Sequence, residues 1–303
     1  MKTLISGFNG WMGKSLIREI KQGNLPLEVK EIVGLTSRPN DVKNNFEGSI
    51  EDFNRFKPES EIEGFVHLAF LTREKVSQLP LADYEATNRK IINRAVEIIK
   101  VSKPKWVAIV SSGAVFSKKS GFSILESEFE TNPYGYLKLE EERAITQIAR
   151  EIGANLAIGR LWGASGPDLP PSSKYAISDF ITSALQTGNI SIKSDNPVFR
   201  KYCDASEFMN VLISAAMTKE YQLFNSGGET VELGELADEI ASQIGNCTIA
   251  RNYQPHLFTD DYYPKDNTYE SLAKSQGKSI LSLKNQVSRT ISGHMEAEKH
   301  TES

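Results

Sequence analysis

KTLISGFNGWMGKSLIREIKQ, residues 2 to 22, sets three glycines between a short apolar run and a stretch of helical period. KTLIS (2 to 6) reads as a strand and KSLIREIKQ (14 to 22) as a helix, so Gly7, Gly10 and Gly13 fall in the passage from one to the other. In that place each glycine has a physical job. Gly7 permits a tight turn, Gly10 lets backbone approach a pyrophosphate, and Gly13 lets the helix pack closely on the sheet. The N-terminus of the following helix turns its free N–H groups and the positive end of its dipole toward an anion. The spacing is GxxGxxG, a pattern that a plain turn before a helix also produces, so the rest of the chain has to decide.

The chain continues the alternation. EIVGLTS (31 to 37), GFVHLAF (64 to 70), WVAIVSS (106 to 112) and ANLAIGRLW (154 to 162) read as strands. Segments 84 to 102 and 136 to 153 have helical period. This predicts an α/β fold, a doubly wound parallel sheet of Rossmann type with a smaller C-terminal substrate-binding lobe. Residues 163 to 174, rich in Gly, Pro and Ser, read as a loop, followed by a helix near 175 to 187 and a strand-like QLFNSGG (222 to 228). VELGELADEIASQIG (231 to 245) carries an apolar stripe of Leu233, Leu236, Ile240 and Ile244. The nucleotide-binding part is expected over 1–162 plus about 195–230, and the smaller lobe over about 163–194 and 231–293. Residues 294–303, polar and without an apolar face, read as a disordered tail.

A chain of 303 residues is long enough for two lobes with a cleft between them. A net charge of −4 with no clustered basic surface weighs against a nucleic-acid partner. The two cysteines, Cys203 and Cys247, lack metal-ligand spacing, which argues against a zinc site or a disulfide framework and suits a reducing cytoplasm. The glycine-interrupted N-terminus contains no unbroken apolar run for a signal peptide or a membrane span.

The end of the second strand bears on the cofactor. An acidic side chain there would bind a ribose hydroxyl of NAD(H), whereas an arginine accommodates the additional phosphate of NADP(H). The sequence offers Thr36, Ser37 and Arg38, so NADP(H) is preferred and NAD(H) is the alternative.

NPYGYLKLEEE (132 to 142) holds two tyrosines ahead of a lysine. Tyr134 is four positions from Lys138, on one face of a helix, while Tyr136 is two positions away and points elsewhere. An ammonium beside a phenol favours phenolate and brings it toward the working range of an acid or base. Ser111 and Ser112 close the fourth strand, at the carboxyl edge where open parallel sheets bind ligands. One of these hydroxyls is placed to hydrogen-bond a substrate oxygen while Tyr134 transfers a proton to it. His67, inside an apolar strand, reads as a core histidine. Asp168 reads as a turn residue, and Glu140 to Glu142 as a solvated helix turn.

Taken in order, SGFNGWMG, HLAF (67 to 70), Asn88 in YEATNRKIINRAVE, VSSGAVF (110 to 116), PYGYLKLEEE and GRLWGASGP (159 to 167) resemble the extended short-chain dehydrogenase/reductase family, the NAD-dependent epimerase/dehydratase group. The resemblance covers roughly residues 1 to 240. It implies Tyr134 as catalytic acid/base, Lys138 as its partner on the nicotinamide ribose, and Ser112, three positions before Val115, as the residue binding the reacting oxygen. For the cofactor it implies the glycine loop with Trp11 and Met12, then Ser37 and Arg38, then Leu68, Ala69 and Phe70 along its length. Asn88 and Ser111 join them, as do Leu161, Trp162 and Gly163 near the nicotinamide. Ser49 and Ile50 stand where many members carry Asp-Ile or Asp-Leu against the adenine. Arg200 matches the arginine that grips a substrate diphosphate. Such enzymes largely act on nucleotide sugars and are commonly homodimers.

The two positions after Ser112 bear on the reaction. Family members that eliminate water resemble one another in an acidic pair there, and those that epimerise at C3 and C5 place a cysteine there. Gly113 and Ala114 do neither, although they remain positioned to line the substrate. The expected activity is therefore reduction of a carbonyl, on a nucleotide-linked 4-keto-6-deoxysugar, with an NAD-dependent 4-epimerase as the alternative. A non-catalytic dinucleotide sensor on the same fold would need neither Tyr134 nor Lys138, and both are present.

Overall fold

Strand β1 (Lys2–Ser6) is buried from Thr3 to Ser6 and forms the middle of a seven-stranded sheet. The computed structural model describes residues 2–39, 46–57, 62–117, 124, 126–171, 175–255 and 258–301. After β1 come α1 (Trp11–Lys21), β2 (Ile32–Thr36), β3 (Ser49–Asp52), β4 (Ile62–His67), α2 (Leu81–Ser102), β5 (Trp106–Ser112), α3 (Pro133–Ile152) and β6 (Asn155–Leu161). The second half contains β7 (Ala164–Ser165), α4 (Ala176–Thr187), β8 (Asn189–Ser191), β9 (Val198–Lys201), β10 (Cys203–Asp204), α5 (Ala205–Thr218) and β11 (Tyr221–Asn225). It ends with β12 (Thr230–Glu232), α6 (Leu233–Ile244), β13 (Thr248–Ala250), β14 (Asp260–Tyr262), α7 (Thr268–Ser275) and α8 (Leu283–Thr301). Among the described residues no helix is long and apolar enough to cross a membrane.

The sheet order is β11-β6-β5-β4-β1-β2-β3, a Rossmann-type arrangement, and β1 pairs in parallel with both β2 and β4. Chain direction through the sheet reverses between β1 and β4, which opens a crevice beyond their carboxyl ends. Ser6 stands there, opposite His67 on one side and Leu35 on the other. Both faces of the sheet are covered, so β2 is buried along its whole length, as its unbroken apolar run requires. Leu4, Leu35, Phe65, Val107, Ile99 and Ile145 lie in one buried cluster between strands and helices.

The chain divides into two compact units, residues 1–160 with 209–224, and residues 161–208 with 225–303. In the second unit β9 is the middle of a three-stranded sheet, antiparallel to β12 and parallel to β14. That pairing draws residues 195–208 into the second unit rather than the nucleotide-binding part to which the sequence reading gave them.

Two further departures have physical causes. Helix α5 was missed because Phe208, Met209, Val211, Leu212, Ile213, Ala215 and Ala216 are all buried, which narrows its polar face to the stripe of Glu207, Asn210, Ser214 and Thr218. The stretch from residue 294 is no disordered tail: α8 runs through it to Thr301, and His294 is buried. This helix docks through polar side chains, which a hydrophobic pattern does not register. Ser165 donates to Gln286 at 2.6 Å, Gly166 N–H donates to Thr290 at 2.8 Å, and the His294 ring lies 3.2 Å from the Leu169 carbonyl.

Candidate active site

The glycine loop is a cradle that side chains would fill. Gly7 has a φ of +68°, and a Cβ there would lie 2.7 Å from the Ala69 nitrogen, so the loop rests against Leu68–Ala69, the segment expected along the cofactor. A Cβ at Gly13 would lie 2.1 Å from the Phe8 carbonyl oxygen. Helix α1 begins at Trp11, with Met12 in its first turn; Gly10 supplies no side-chain cap and that turn holds no acidic residue. An uncapped helix end behind a close-packed glycine turn fits a dinucleotide pyrophosphate, which both neutralises the dipole and accepts from the N–H groups.

Ser37 and Arg38 follow β2 and are exposed, with Arg38 N–H donating to Thr36 Oγ1 at 3.2 Å. Strand β3 was not foreseen, since SIED at a sheet edge has no apolar period. Its register puts Ser49 opposite Val33 and Ile50 opposite Gly34, toward the entry end of the strands, while Asp52 stands opposite Thr36 at the carboxyl end. A carboxylate therefore does lie beside the β2 terminus, supplied by the neighbouring strand. Asp52 accepts from Asn54 N–H at 2.8 Å and lies 3.9 Å from Arg55.

Beyond β5 the chain makes a short 3-10 turn, Gly113–Val115, capped by Ser112, whose Oγ accepts from Ala114 N–H at 3.1 Å. Asn132 starts α3, accepting from Gly135 N–H at 3.0 Å and donating to the Ala114 carbonyl at 2.9 Å. These two bonds clamp the helix onto the turn after β5. Pro133 occupies the first helical position, where a missing N–H costs nothing. Tyr134 therefore sits in the first turn of α3, where the Ser112 hydroxyl acts on its phenol. Burial pushes that phenol up to about 12, and the negative charge of Glu141 adds to the rise, while the Ser112 hydroxyl and Arg73 pull it down. Tyr136 packs instead against Phe129 and toward Val115 and Leu139.

Lys138 does not face Tyr134 as an unpaired charge. Its Nζ donates to Glu141 Oε2 at 2.8 Å and to the Val110 carbonyl at 2.9 Å, and lies 3.9 Å from the centre of the Phe70 ring. Phe70 in turn meets Tyr134 edge-on at 5.9 Å. The solvated turn expected at Glu140 to Glu142 is thus corrected: Glu141 and Glu142 are buried in ion pairs, and only Glu140 reaches outward, to Arg89. Glu142 is held by Arg160 at 2.9 and 2.6 Å and accepts from Ser111 Oγ at 2.5 Å. Ser111, expected at the cofactor, is buried and its hydroxyl proton is committed to that carboxylate. Asn88 is buried too; its Oδ1 accepts from Leu71 N–H at 2.8 Å, while Tyr84 donates to the Leu71 carbonyl at 2.8 Å, together fixing the chain just past Phe70.

In the second unit Trp162 is fixed at both ends. Its backbone N–H donates to Ser226 at 3.0 Å, and its indole donates to Asn225 at 2.9 Å. Leu161 precedes it at the end of β6, and a Cβ on Gly163 would lie 2.3 Å from the Lys201 carbonyl oxygen. Arg200, on β9, pairs with Asp260 at 2.9 Å and donates to the backbone carbonyls of Phe199 and Asp260 at 2.8 Å each. Its guanidinium lies 5.7 Å from the Tyr262 ring, which is tilted against Trp162 at 4.9 Å. An anion gripped by Arg200 would share it with Asp260.

A family model described as the NAD dependent epimerase/dehydratase family matches residues 3–227. The chain belongs to that family. It is an NAD(P)-dependent enzyme of the extended short-chain dehydrogenase/reductase type. No match was found among curated protein sequences. Solved structures with the same fold include MoeE5 in complex with UDP-glucose and NAD, 21% identical over 100% of both chains with a TM-score of 0.72. The UDP-glucose 4-epimerase of Thermotoga maritima, solved with UDP-glucose, is 17% identical over 100% of both chains with a TM-score of 0.74. The UDP-N-acetylglucosamine 4-epimerase of Methanobrevibacter ruminantium is 16% identical over 98% of each chain with a TM-score of 0.77.

Sequence reasoning misread Glu141 and Glu142, and overlooked Arg160 and Asp52 in the first unit and Asp260 in the second. Glu142 and Arg160 left one trace, since both lie in quoted motifs beside the residues they serve. Gly135 was overlooked as well, and its effect is testable. A Cβ there would lie 1.9 Å from the Ala114 carbonyl oxygen, so Gly135→Ala forces α3 away from the turn that carries Ser112. Loss of about 10²-fold in turnover is expected for a displacement of ~1 Å, with circular dichroism little changed.

Proposed function

We propose that the protein is an NADP(H)-dependent reductase of a carbonyl group, acting on a nucleotide-linked 4-keto-6-deoxysugar. The observation that carries this reading is Tyr134, set in the first turn of α3 where Asn132 clamps the helix onto the turn after Ser112, its phenol pushed by burial up to about 12 and so holding its proton at neutral pH. Around it, Gly113 and Ala114 supply no second acid or base. Elimination of water needs such a pair; addition across a carbonyl does not.

A bound nicotinamide supplies the hydride. Tyr134 gives its proton to the carbonyl oxygen, and Ser112, at the end of β5, holds the same oxygen in line. Leu68, Ala69 and Phe70, buttressed by Gly7 and by Asn88, give the cofactor a fixed wall. Arg38, exposed at the end of β2, supports the preference for the 2′-phosphate. Arg200 is the candidate for the substrate diphosphate, in competition with Asp260.

The second reading, a nucleotide-sugar 4-epimerase, is favoured by the 4-epimerases among the proteins of the same fold and by Asp52 beside the β2 terminus, which suits a ribose hydroxyl of NAD. Cofactor titration separates the two. NADPH is expected to bind more tightly than NADH, and Arg38→Ala to weaken NADPH by roughly ten- to a hundredfold, the worth of one to two charge-assisted hydrogen bonds, while NADH is unaffected. Equal affinities in the unaltered protein would favour the epimerase.

A further inference from the structure

The ammonium of Lys138 is tied into a chain of buried polar groups that runs back to the glycine loop. Glu141 receives Lys138 on Oε2 at 2.8 Å, and its Oε1 lies 3.3 Å from His67 Nε2; Glu141 and His67 are almost wholly buried. His67 Nδ1 lies 2.6 Å from Ser6 Oγ. That hydroxyl oxygen also accepts from Leu68 N–H at 3.2 Å and Ala69 N–H at 3.4 Å, which fills its two acceptor positions. Its single proton therefore points to His67 Nδ1, and the ring proton sits on Nε2, facing Glu141. One ammonium thus meets one carboxylate, with the His67 ring behind it.

Among the described residues, charged and titratable groups bear on Tyr134 from several elements. Ser112 comes from the end of β5, Lys138 and Glu141 from α3, Arg73 and Glu74 from the 3-10 turn Arg73–Ser77, and the neutral phenol of Tyr84 from α2. Arg73 and Glu74 act in opposite directions, and the negative charge of Glu141 favours the phenol. Burial alone would push Glu141 up, but Lys138 and His67 bring its carboxyl below the usual range, so it stays ionised in a dry setting.

We propose that Glu141 is a positioning residue that anchors the Lys138 ammonium to the β4 end of the sheet and cancels its charge. Tyr134 then rests as the protonated phenol, and the site is set to give a proton rather than take one. This rests on the reading of Tyr134 as proton donor. It assigns the resting protonation state of the proton donor to a buried side chain three positions beyond Lys138.

The test is a titration of Tyr134 in the cofactor-free protein, followed by NMR with tyrosine labelled at Cζ and assigned by its loss in Tyr134→Phe. In the unaltered protein Tyr134 is expected to remain a phenol at pH 10. Glu141→Gln removes the carboxylate and leaves the Lys138 charge unpaired, and both changes favour phenolate, so the midpoint is expected to fall by about one unit or more. Glu141→Asp keeps the charge but is too short to reach Lys138 and His67 together, so a smaller fall is expected. An unmoved midpoint in Glu141→Gln would overturn the proposal; if that variant does not fold, an unmoved midpoint in Glu141→Asp does so. Failure of the underlying reading has a separate signature, a Tyr134→Phe protein that keeps its turnover.

Discussion

Tyr134→Phe is expected to lower turnover by about 10²–10⁴-fold, the range for loss of a positioned general acid, while cofactor affinity stays within about twofold. The substitution removes one oxygen. Phe70 still meets the ring edge-on, Asn132 still clamps α3 to the turn after β5, and Ser112 still accepts from Ala114, so the loss reports proton transfer rather than collapse. The profile against pH carries the sign. With the phenol at about 12, reduction is expected to stay level through neutral pH and to fall only as Tyr134 ionises at high pH. Oxidation of the corresponding alcohol needs the phenolate and is expected to rise over the same interval. The two rates are followed by nicotinamide absorbance in the forward and reverse directions.

Arg160→Met is expected to destabilise the protein by about 3–5 kcal/mol, the cost of leaving a buried carboxylate without its partner. Glu142 and Arg160 are 6% and 12% exposed, and the guanidinium makes two bonds to the carboxylate while lying 5.0 Å from the Phe116 ring. With the arginine gone, Glu142 retains only Ser111. The double variant Arg160→Met with Glu142→Leu is expected to recover most of the loss, because it removes the stranded charge. Denaturant unfolding of the two variants measures both effects. A single variant as stable as the parent would mean that water reaches Glu142.

Much of the fold could be read from the chain because its strands are fully buried apolar runs and its glycines sit where backbone must approach backbone. Lys2–Ser6 and Trp106–Ser112 coincide with the strands they were expected to form, and Tyr134 lies on the same helix as Lys138. The site was legible as residue types at spacings, but not as charges in pairs. Glu141 and Glu142 read as a solvated turn, because three successive glutamates usually are one. The fold supplies their partners from distant strands, His67 from β4 and Arg160 from β6. For the same reason Lys138 read as a charge lent to Tyr134, and Arg200 as an unpaired grip for a diphosphate. The last turns of α8 were hidden by the reverse case, although helix was expected up to residue 291: His294 is polar, yet it lies with Gln286 and Thr290 on the buried side of that helix.

Net reduction at Tyr134 is tested by the stoichiometry between NADPH consumed and alcohol formed when the purified protein meets a nucleotide-linked 4-keto-6-deoxysugar. One NADPH per alcohol, with no bound NAD in the protein as purified, is the predicted result. Interconversion of C4 epimers with no net change in nicotinamide absorbance, on protein that retains NAD, would contradict it.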